Sequence, residues 1–412
     1  MIRFHFLLLI LFFYPLFSIA QSTDQFNNFA RQQDSLFISL YKKRDTKTYT
    51  HLLDNWINEY DKLNNKEKKT YRQYLVSAWY NLSCTYALTG NTSMALDGLE
   101  KAIRAGYTNY SHIQKDSDLD TLRSLPRFDS LIQPLRATGD YRYILEKAEA
   151  YNNNDNRELP AFTYQLSTNP DLVCLRKMYK LDSIAGEGNE ASKALNLLHW
   201  VHELIPHDGN HPNPAIKNAQ QLITVCRKEN RGLNCRGLAT VLNECYLSLG
   251  FASRLVTCLP KDSLGVDPDC HVINMVYIPS LKKWIWADPT NDAYVMNEKG
   301  ELLSIEEVRE RIILHEPLIV NPTANWNHRS STMKEDYLYN YMAKNLYILQ
   351  CPVNSIYDLE TPAPGKTIAY IQLLPLNYFK QDPSVKTSAD QPRSTSYVFY
   401  NTNNPSLFFK LP

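Results

Sequence analysis

The strongest constraint on the fold is an apolar helix that begins at a cysteine and is followed by three strand-like segments. After Cys235, apolar residues recur at helical spacing, and Gly250 is a natural C-terminal stop. Asn234 suits the N-cap position, which puts Cys235 in the first turn. Free N–H groups and the positive end of the helix dipole favour a thiolate there, and the same N–H groups suit the oxyanion of a tetrahedral intermediate.

The residues after this helix predict an antiparallel arrangement with two polar groups at one end. Strands are expected at Ser253–Leu259, His271–Ile278 and 284–287, with a turn at 279–283. In the resulting hairpin, His271 and Asp288 both lie at the end away from the turn. A His within reach activates a thiol, and a carboxylate fixes the tautomer of that His. The order of residues therefore predicts Cys235 as nucleophile, His271 as base and Asp288 as orienting acid.

Each of the three residues also has a purely structural interpretation. A cysteine early in a helix commonly packs in a core, and a His on a strand is commonly a satisfied polar group. An Asp-Pro pair such as Asp288-Pro289 commonly marks a turn. The order of the three residues and their local contexts favour catalysis over the three separate structural roles.

Four short segments resemble the transglutaminase-like superfamily. They are Asn234-Cys235-Arg236-Gly237-Leu238-Ala239, Leu249-Gly250-Phe251-Ala252-Ser253-Arg254, Cys270-His271-Val272 and Trp286-Ala287-Asp288-Pro289-Thr290. The resemblance is clear from about residue 195 to 308. It implies a papain-like α+β catalytic domain in which the Cys begins a central helix, and it assigns Cys235, His271 and Asp288 as the triad. Proteases, amidases, deglycosylating amidases and inactive members share this fold, so the resemblance leaves the reaction open.

Two positions depart from the pattern of this superfamily. Asn234 stands before the Cys, where a small or apolar residue is usual, and Val272-Ile273 follow the His, where many relatives carry Ala-Trp. Neither departure removes a catalytic group, but both positions bear on contacts with substrate.

The first 20 residues have the pattern of a secretory signal peptide. Met1-Ile2-Arg3 gives a short basic start, residues 6–17 are almost wholly apolar, and small residues precede Gln21. We expect cleavage after Ala20 and a secreted or periplasmic protein with no membrane span after cleavage; an uncleaved anchor is the alternative. No other segment is apolar enough to cross a membrane.

Charge and cysteine content narrow the function classes. The 412 residues carry 44 Lys and Arg against 43 Asp and Glu, a formal net charge of +1. We therefore expect no basic surface of the kind that binds nucleic acid.

The sequence contains eight cysteines, and if Cys235 stays free the other seven cannot all form disulfides. A bridge between Cys258 and Cys270, which flank a short loop, remains open.

The region before about residue 140 is helical by pattern. One window fits a tetratricopeptide repeat, with large, aromatic and small residues at the expected spacing: Trp79, Leu82, Tyr86, Ala95, Leu99 and Ala102. Gly90-Asn91 marks the turn. The domain is either a groove for a protein partner or a helical spacer, and a single visible repeat favours the spacer.

We therefore expect a signal peptide at 1–20, a helical tetratricopeptide-like domain at 21–149, a transglutaminase-like catalytic domain at 150–320 and a C-terminal extension of that fold at 321–412. The Asn-rich stretch near 150–160 is the expected linker. Helices are expected at 172–181, 191–204 and 337–347, and late strands at 368–374 and 397–400.

A cluster of histidines offers a competing interpretation. His199, His202, His207 and His211 fall between positions 199 and 211, and the first two are one helical turn apart, as a shared metal would require. The run lacks the His-Glu-x-x-His order of zinc proteases. A second idea is that Trp200 or His207 lines the cleft beside Cys235. We expect no metal and no cofactor.

The sequence thus predicts a secreted cysteine-dependent acyl-transfer enzyme that acts on peptide, protein or glycoprotein amides through a Cys235 thioester. Hydrolysis by a peptidase or amidase is favoured because water is the default acceptor. A crosslinking transglutaminase and a non-catalytic binding protein with the same fold are the alternatives.

Overall fold

A computed structural model describes residues 17–155, 158–261, 269–376, 384–387 and 395–412, with backbone only at 17–24 and 384–387. Apart from residues 17–20, which belong to the first helix, the expected signal peptide lies outside the described residues. The chain divides into two compact units between Asp140 and Tyr141.

Unit one is built from helices throughout its described part. Its helices are α1 Phe17–Lys43, α2 Thr46–Asp61, α3 Asn65–Leu88, α4 Thr92–Ala105, α5 Tyr110–Lys115, α6 Pro126–Ile132 and α7 Arg136–Gly139, with 3₁₀ turns at Ser117–Leu122 and Gln133–Leu135. The expected all-helical N-terminal region is therefore confirmed.

Helices α3 and α4 form a close pair because small residues face each other. A Cβ on Gly98 of α4 would lie 3.1 Å from the Cα of Ser83 on α3. The Ser83 hydroxyl donates a hydrogen bond to the Ala95 carbonyl at 2.7 Å. Gly90, at the turn between the helices, has φ +81°, a conformation that glycine adopts without strain.

Unit two combines helices with a seven-stranded sheet. Its helices are α8 Tyr141–Glu146, α9 Pro170–Tyr179, α10 Leu181–Ala185, α11 Glu190–Leu204, α12 Ala219–Glu229, α13 Cys235–Ser248, α14 Ile305–Leu314, α15 Lys334–Asp336, α16 Ala343–Asn345 and α17 Pro405–Phe408, with a π-helical turn at Tyr337–Met342 and a 3₁₀ turn at Pro279–Leu281. Its strands are β1 Thr163–Tyr164, β2 Ser253–Leu259, β3 His271–Ile278, β4 Lys283–Ala287, β5 Val295–Met296, β6 Ile319–Val320, β7 Asn325–Trp326, β8 Ser330–Ser331, β9 Ile348–Pro352, β10 Asn354–Ser355, β11 Thr367–Leu373, β12 Ser384–Thr387 and β13 Ser396–Thr402.

The order of strands in the large sheet is β12-β13-β11-β9-β2-β3-β4. All neighbours in this sheet are antiparallel except β11 and β13, which are parallel. The C-terminal strands therefore continue the sheet that begins with β2, β3 and β4. The mixed helix-and-sheet fold expected from the sequence is confirmed.

Helix α13 packs on one face of this sheet. Its side chains join a small apolar cluster with β2 and β3 through Ala239, Leu255 and Val272, and the half-buried Cys235 borders that cluster. The buried Asn274 amide of β3 donates to the Ala239 carbonyl at 3.0 Å. The opposite face of the sheet carries a larger apolar core that includes Ile273, Met275 and Trp286 of the β3–β4 hairpin. The start of α13 is thereby fixed over the end of β3 where His271 lies.

Candidate active site

The nucleophile position is set by the first turn of α13. Cys235 is the first helical residue, and the Asn234 side chain accepts a hydrogen bond from the Gly237 N–H at 3.2 Å. Asn213 holds this cap from outside the helix: its Oδ1 accepts from the Asn234 N–H at 3.1 Å, and its Nδ2 donates to the Asn234 Oδ1 at 2.7 Å. The predicted N-cap and helix start are confirmed.

Gly237 is required by the same arrangement. A Cβ at this position would lie 2.7 Å from Nδ2 and 2.9 Å from Oδ1 of Asn213, closer than real Cβ contacts allow. The glycine therefore lets Asn213 reach the cap of the helix that carries Cys235.

His271 and Asp288 form a buried pair at the open end of the β3–β4 hairpin. His271 is the first residue of β3 and Asp288 follows the last residue of β4. The His271 Nε2 lies 2.8 Å from the Asp288 Oδ2, and the two side chains are 2% and 0% exposed. Because Nε2 is engaged by the carboxylate, Nδ1 is the ring nitrogen left for Cys235.

Asp288 is held by four hydrogen-bond partners. Besides His271, its carboxylate accepts from the Thr290 backbone N–H at 2.9 Å, the Asn291 amide at 3.1 Å and the Tyr337 hydroxyl at 2.6 Å. Burial raises the pKa of this carboxyl, but the His271 charge and these donors outweigh burial and keep the pKa below its ordinary value. Asp288 is therefore an ionised acceptor that fixes the His271 ring.

Cys235 and His271 shift each other's protonation in opposite directions. Burial acts to raise the pKa of the Cys235 thiol, but hydrogen bonds from His207 and His271, the His271 charge and the Val272 N–H lower it to about 6. Burial acts to lower the pKa of His271, and the attraction of Asp288 together with the contact to Cys235 raises it above its ordinary value. Near neutral pH the pair is accordingly a thiolate and an imidazolium.

The structure brings together the three residues that the sequence predicted, and it adds others. The π-helical turn Tyr337–Met342 supplies Tyr337 to Asp288 and Tyr341 to His271, whose ring lies 5.3 Å from that of Tyr341 in an edge-on contact. The sequence predicts a helix near 337–347 but indicates no role for its tyrosines. Their i, i+4 spacing was the available signal, since it puts both on one helix face.

His207 and Trp200, proposed from the sequence as cleft residues, lie in different places. His207 lies near enough to Cys235 to lower the pKa of its thiol, and it lines a cavity of about 570 Å³ together with His271, Trp326 and Tyr341. The ring of Trp200 lies 5.8 Å from that of Tyr179, where it packs with the helices of unit two.

The remaining histidines of the cluster have protein partners. His199 Nδ1 lies 2.8 Å from Asp292, and His211 Nδ1 lies 2.6 Å from Asp208. The buried His202 has its Nδ1 3.1 Å from the Pro289 carbonyl and its Nε2 3.1 Å from Asn325 Oδ1.

One group of side chains has the spacing of metal ligands. Ligand atoms of His202, Glu203 and His328 lie within 4.8 Å of one another. Both ring nitrogens of His202 already have hydrogen-bond partners, so His202 has no ring nitrogen left to bind a metal.

All eight cysteines fall within the described part of the chain and are free thiols, so the bridge considered between Cys258 and Cys270 is not formed. Among the helices that the structure describes, none combines the length and apolar character needed to span a membrane.

Comparisons with known proteins support the family resemblance over part of the chain. Residues 177–289 match the model of the transglutaminase-like superfamily core, and this range contains Cys235, His271 and Asp288. Unit two thus contains a transglutaminase-like domain.

Two individual proteins show shorter or weaker similarity. A chloroplastic protein of Arabidopsis thaliana is 38% identical over 71 residues, which are 17% of this chain and 20% of that protein, so the chain spans about a fifth of its length. The solved structure of a candidate cysteine protease from Cytophaga hutchinsonii is 22% identical and aligns 31% of this chain with 40% of that chain at a TM-score of 0.23. At this TM-score the likeness carries no structural argument.

Proposed function

We propose that this protein is a cysteine-dependent acyl-transfer enzyme in which Cys235 attacks an amide or peptide carbonyl. The observation that carries the proposal is the buried His271, which is hydrogen-bonded to the Asp288 carboxylate and lies close enough to Cys235 for the two to shift each other's pKa in opposite directions. A structural cysteine in a core has a raised pKa, as burial gives Cys245 and Cys258 here, whereas that of Cys235 is lowered.

The proposed reaction has two halves. The Cys235 thiolate attacks the carbonyl carbon, and the carbonyl oxygen becomes an oxyanion at the start of α13. Collapse of this intermediate breaks the C–N bond, and the His271 imidazolium gives its proton to the leaving amine, which leaves a thioester on Cys235. Neutral His271 then takes a proton from water, the resulting hydroxide attacks the thioester, and the carboxylic acid leaves as the thiolate re-forms.

We propose water as the acceptor, and hence a peptidase or amidase. The cleft beside His271 is a cavity of about 570 Å³ whose lining includes the polar side chains of Ser330, Ser331 and Thr332, which can hydrogen-bond water next to the base. Substrates of this site are peptide, protein or glycoprotein amides. Transfer to an amine, as in a crosslinking transglutaminase, and a non-catalytic binding role are outcomes that the experiment below separates.

We further propose that the protein acts outside the cytoplasm, on the basis of the signal-peptide pattern at residues 1–20. Unit one is proposed as a helical spacer. A groove for a protein partner is the alternative for this unit.

The test is activity-based labelling of the wild-type protein with iodoacetamide and with a panel of amide and peptide probes, followed by mass spectrometry of the modified residue. We expect modification at Cys235 in preference to the exposed Cys174 at mildly acidic pH. The variant Cys235→Ala should lose labelling and activity but keep its fold. Equal alkylation of the two thiols at that pH would contradict the proposal.

The same assay separates the roles of His271 and Asp288. His271→Ala should lower the rate by orders of magnitude, and Asp288→Asn by about 10²–10⁴-fold. The double variant should be little worse than His271→Ala, because the two residues act as a unit. A rate for Asp288→Asn equal to that of wild type would mean that Asp288 has only a structural role in the turn.

Release of a free acid identifies hydrolysis, and incorporation of an added primary amine identifies transfer.

A further inference from the structure

A second histidine, His207, lies beside Cys235 and has no part in the proton transfers described above. It lines the same cavity as His271 and lies near enough to the thiol to lower its pKa. Its backbone runs parallel to the segment that leads into α13: the Asp208 N–H donates to the Leu233 carbonyl at 2.7 Å, and the Leu233 N–H donates to the Pro206 carbonyl at 3.1 Å. His207 is thus fixed beside the start of the helix that carries the nucleophile.

Two residues of the β7–β8 hairpin make three hydrogen bonds to His207. The Asn327 side chain accepts from the His207 N–H at 2.7 Å and donates to the His207 carbonyl at 2.8 Å. The indole N–H of Trp326 lies 3.3 Å from the His207 Nδ1. Both backbone polar groups and one ring nitrogen of His207 are therefore set by two adjacent residues of one hairpin.

The contact with Trp326 decides which way the His207 ring is protonated. An indole nitrogen can only donate a hydrogen bond, so Nδ1 of His207 must be the acceptor in this pair. A neutral imidazole that accepts at Nδ1 carries its proton at Nε2. The group that His207 has left for the thiol is then an N–H donor and not a base, which separates its role from that of His271.

We propose that His207 is a catalytic residue that donates its Nε2–H to the oxyanion of the tetrahedral intermediate, together with the backbone N–H of Cys235. This inference rests on the proposed function and adds a residue to that mechanism. An N–H of His207 that is near the sulfur is also near the oxygen of the carbonyl carbon that the sulfur attacks. The backbone N–H of Cys235 is available as the second donor, because the N–H of a first-turn residue has no acceptor within the helix. Trp326 acts as a positioning residue, because it fixes the tautomer of His207.

Two probes of the full-length protein separate oxyanion stabilisation from thiolate formation. With p-nitrophenyl acetate, the thiolate attacks the ester carbonyl, an oxyanion forms, and p-nitrophenolate leaves to give an acetyl thioester. With 2,2′-dipyridyl disulfide, the thiolate attacks sulfur, the S–S bond breaks and pyridine-2-thione leaves, so no oxyanion forms. Both reactions are followed over a range of pH, and each variant is compared with wild type on the plateau above its own Cys235 pKa, where the thiol is ionised.

For His207→Ala we expect acylation by p-nitrophenyl acetate to fall about 10²-fold, as when an oxyanion-hole donor is removed, and disulfide exchange to stay within about threefold of wild type. His207→Gln keeps an N–H donor and should recover acylation to within about tenfold. Trp326→Phe, which removes the tautomer-fixing donor, should lower acylation but not disulfide exchange.

Three results would overturn the assignment of His207. Equal losses in both reactions would mean that His207 acts on the thiolate or on the fold. Unchanged acylation in His207→Ala would remove His207 from the mechanism. A His207→Gln variant that does not recover acylation would exclude a simple donor role. A wild-type protein that acylates no faster than Cys235→Ala would instead overturn the proposed function itself.

Discussion

At the scale of single residues, the opposite pKa shifts of Cys235 and His271 predict an unusual pH profile for the thiol. Because the pKa of Cys235 is lowered to about 6, its alkylation rate should rise as pH passes 6 and then level off, whereas an ordinary cysteine reacts fully only above its pKa of about 8.5. Measuring the rate from pH 4 to 9 tests this. In His271→Ala the midpoint should move upward, because the positive charge that stabilises the thiolate is gone; an unmoved midpoint would show that His271 does not pair with Cys235.

Tyr337 gives a second prediction at this scale. Its buried hydroxyl donates to Asp288 at 2.6 Å, so Tyr337→Phe removes one of the donors that keep the carboxylate ionised and oriented. We expect about a tenfold loss in acylation rate, smaller than for Asp288→Asn, because the other donors to Asp288 remain. Tyr341→Phe is the matched control: it keeps the ring beside His271, and its rate should stay close to wild type. A loss in the control equal to that in Tyr337→Phe would refute the specific role of the Tyr337 hydroxyl.

At the scale of secondary-structure elements, the close approach of Asn213 to α13 predicts that Gly237→Ala disturbs the candidate active site without changing Cys235, His271 or Asp288. The added Cβ would meet the Asn213 amide at less than 3 Å, and Asn213 holds the cap residue Asn234. We expect lower thermal stability, by an amount comparable to a lost N-cap of about 1 kcal/mol or more, and a slower Cys235 alkylation at pH 6. Asn213→Ala removes the amide that clashes, so adding it to Gly237→Ala should cost little further; two fully additive losses would show that the residues do not interact.

The start of α13 and the strands β2 and β3 were predictable because their signals are local. Asn234 as N-cap and the apolar character of His271–Ile278 each depend on a few neighbouring residues. The support of Asp288 by Tyr337 was not predictable, since the two residues are far apart in the sequence and meet only because the folded chain places the π-helical turn beside the end of β4 where Asp288 lies. Likewise the sequence suggested His207 as a cleft residue, but its ring orientation depends on Trp326, which is more than 100 positions downstream.

At the scale of the whole molecule, the boundary between the two compact units does not fall in the Asn-rich stretch that composition predicts as the linker. The compact units divide between Asp140 and Tyr141, and the described part of the Asn-rich stretch hydrogen-bonds to the C-terminal segment: the Asn152 N–H donates to the Asn403 carbonyl at 2.8 Å. Polar composition indicates low apolar burial, but it does not show whether backbone groups find partners elsewhere in the fold. The segment 141–155 is therefore part of unit two in its contacts.

This assignment predicts that two shortened chains behave differently. A chain that begins at Tyr141 keeps α8, whose Leu145 is 1% exposed in the main core of the sheet and whose Arg142 donates to the Ile312 carbonyl at 3.1 Å. A chain that begins at Leu159 loses both contacts. Since truncating one such buried leucine to alanine costs roughly 2–5 kcal/mol, the shorter chain should unfold at a clearly lower denaturant concentration.

The measurement is denaturant unfolding of both chains, followed in parallel by Cys235 alkylation at pH 6. The chain from Tyr141 should fold alone and keep a reactive thiol, because all the residues that hold Cys235, His271 and Asp288 lie in unit two. Equal unfolding midpoints for the two chains would mean that residues 141–158 add nothing to the core and serve as a linker. Failure of the chain from Tyr141 to fold would mean that unit one is needed for the stability of unit two, which contradicts its proposed role as a spacer.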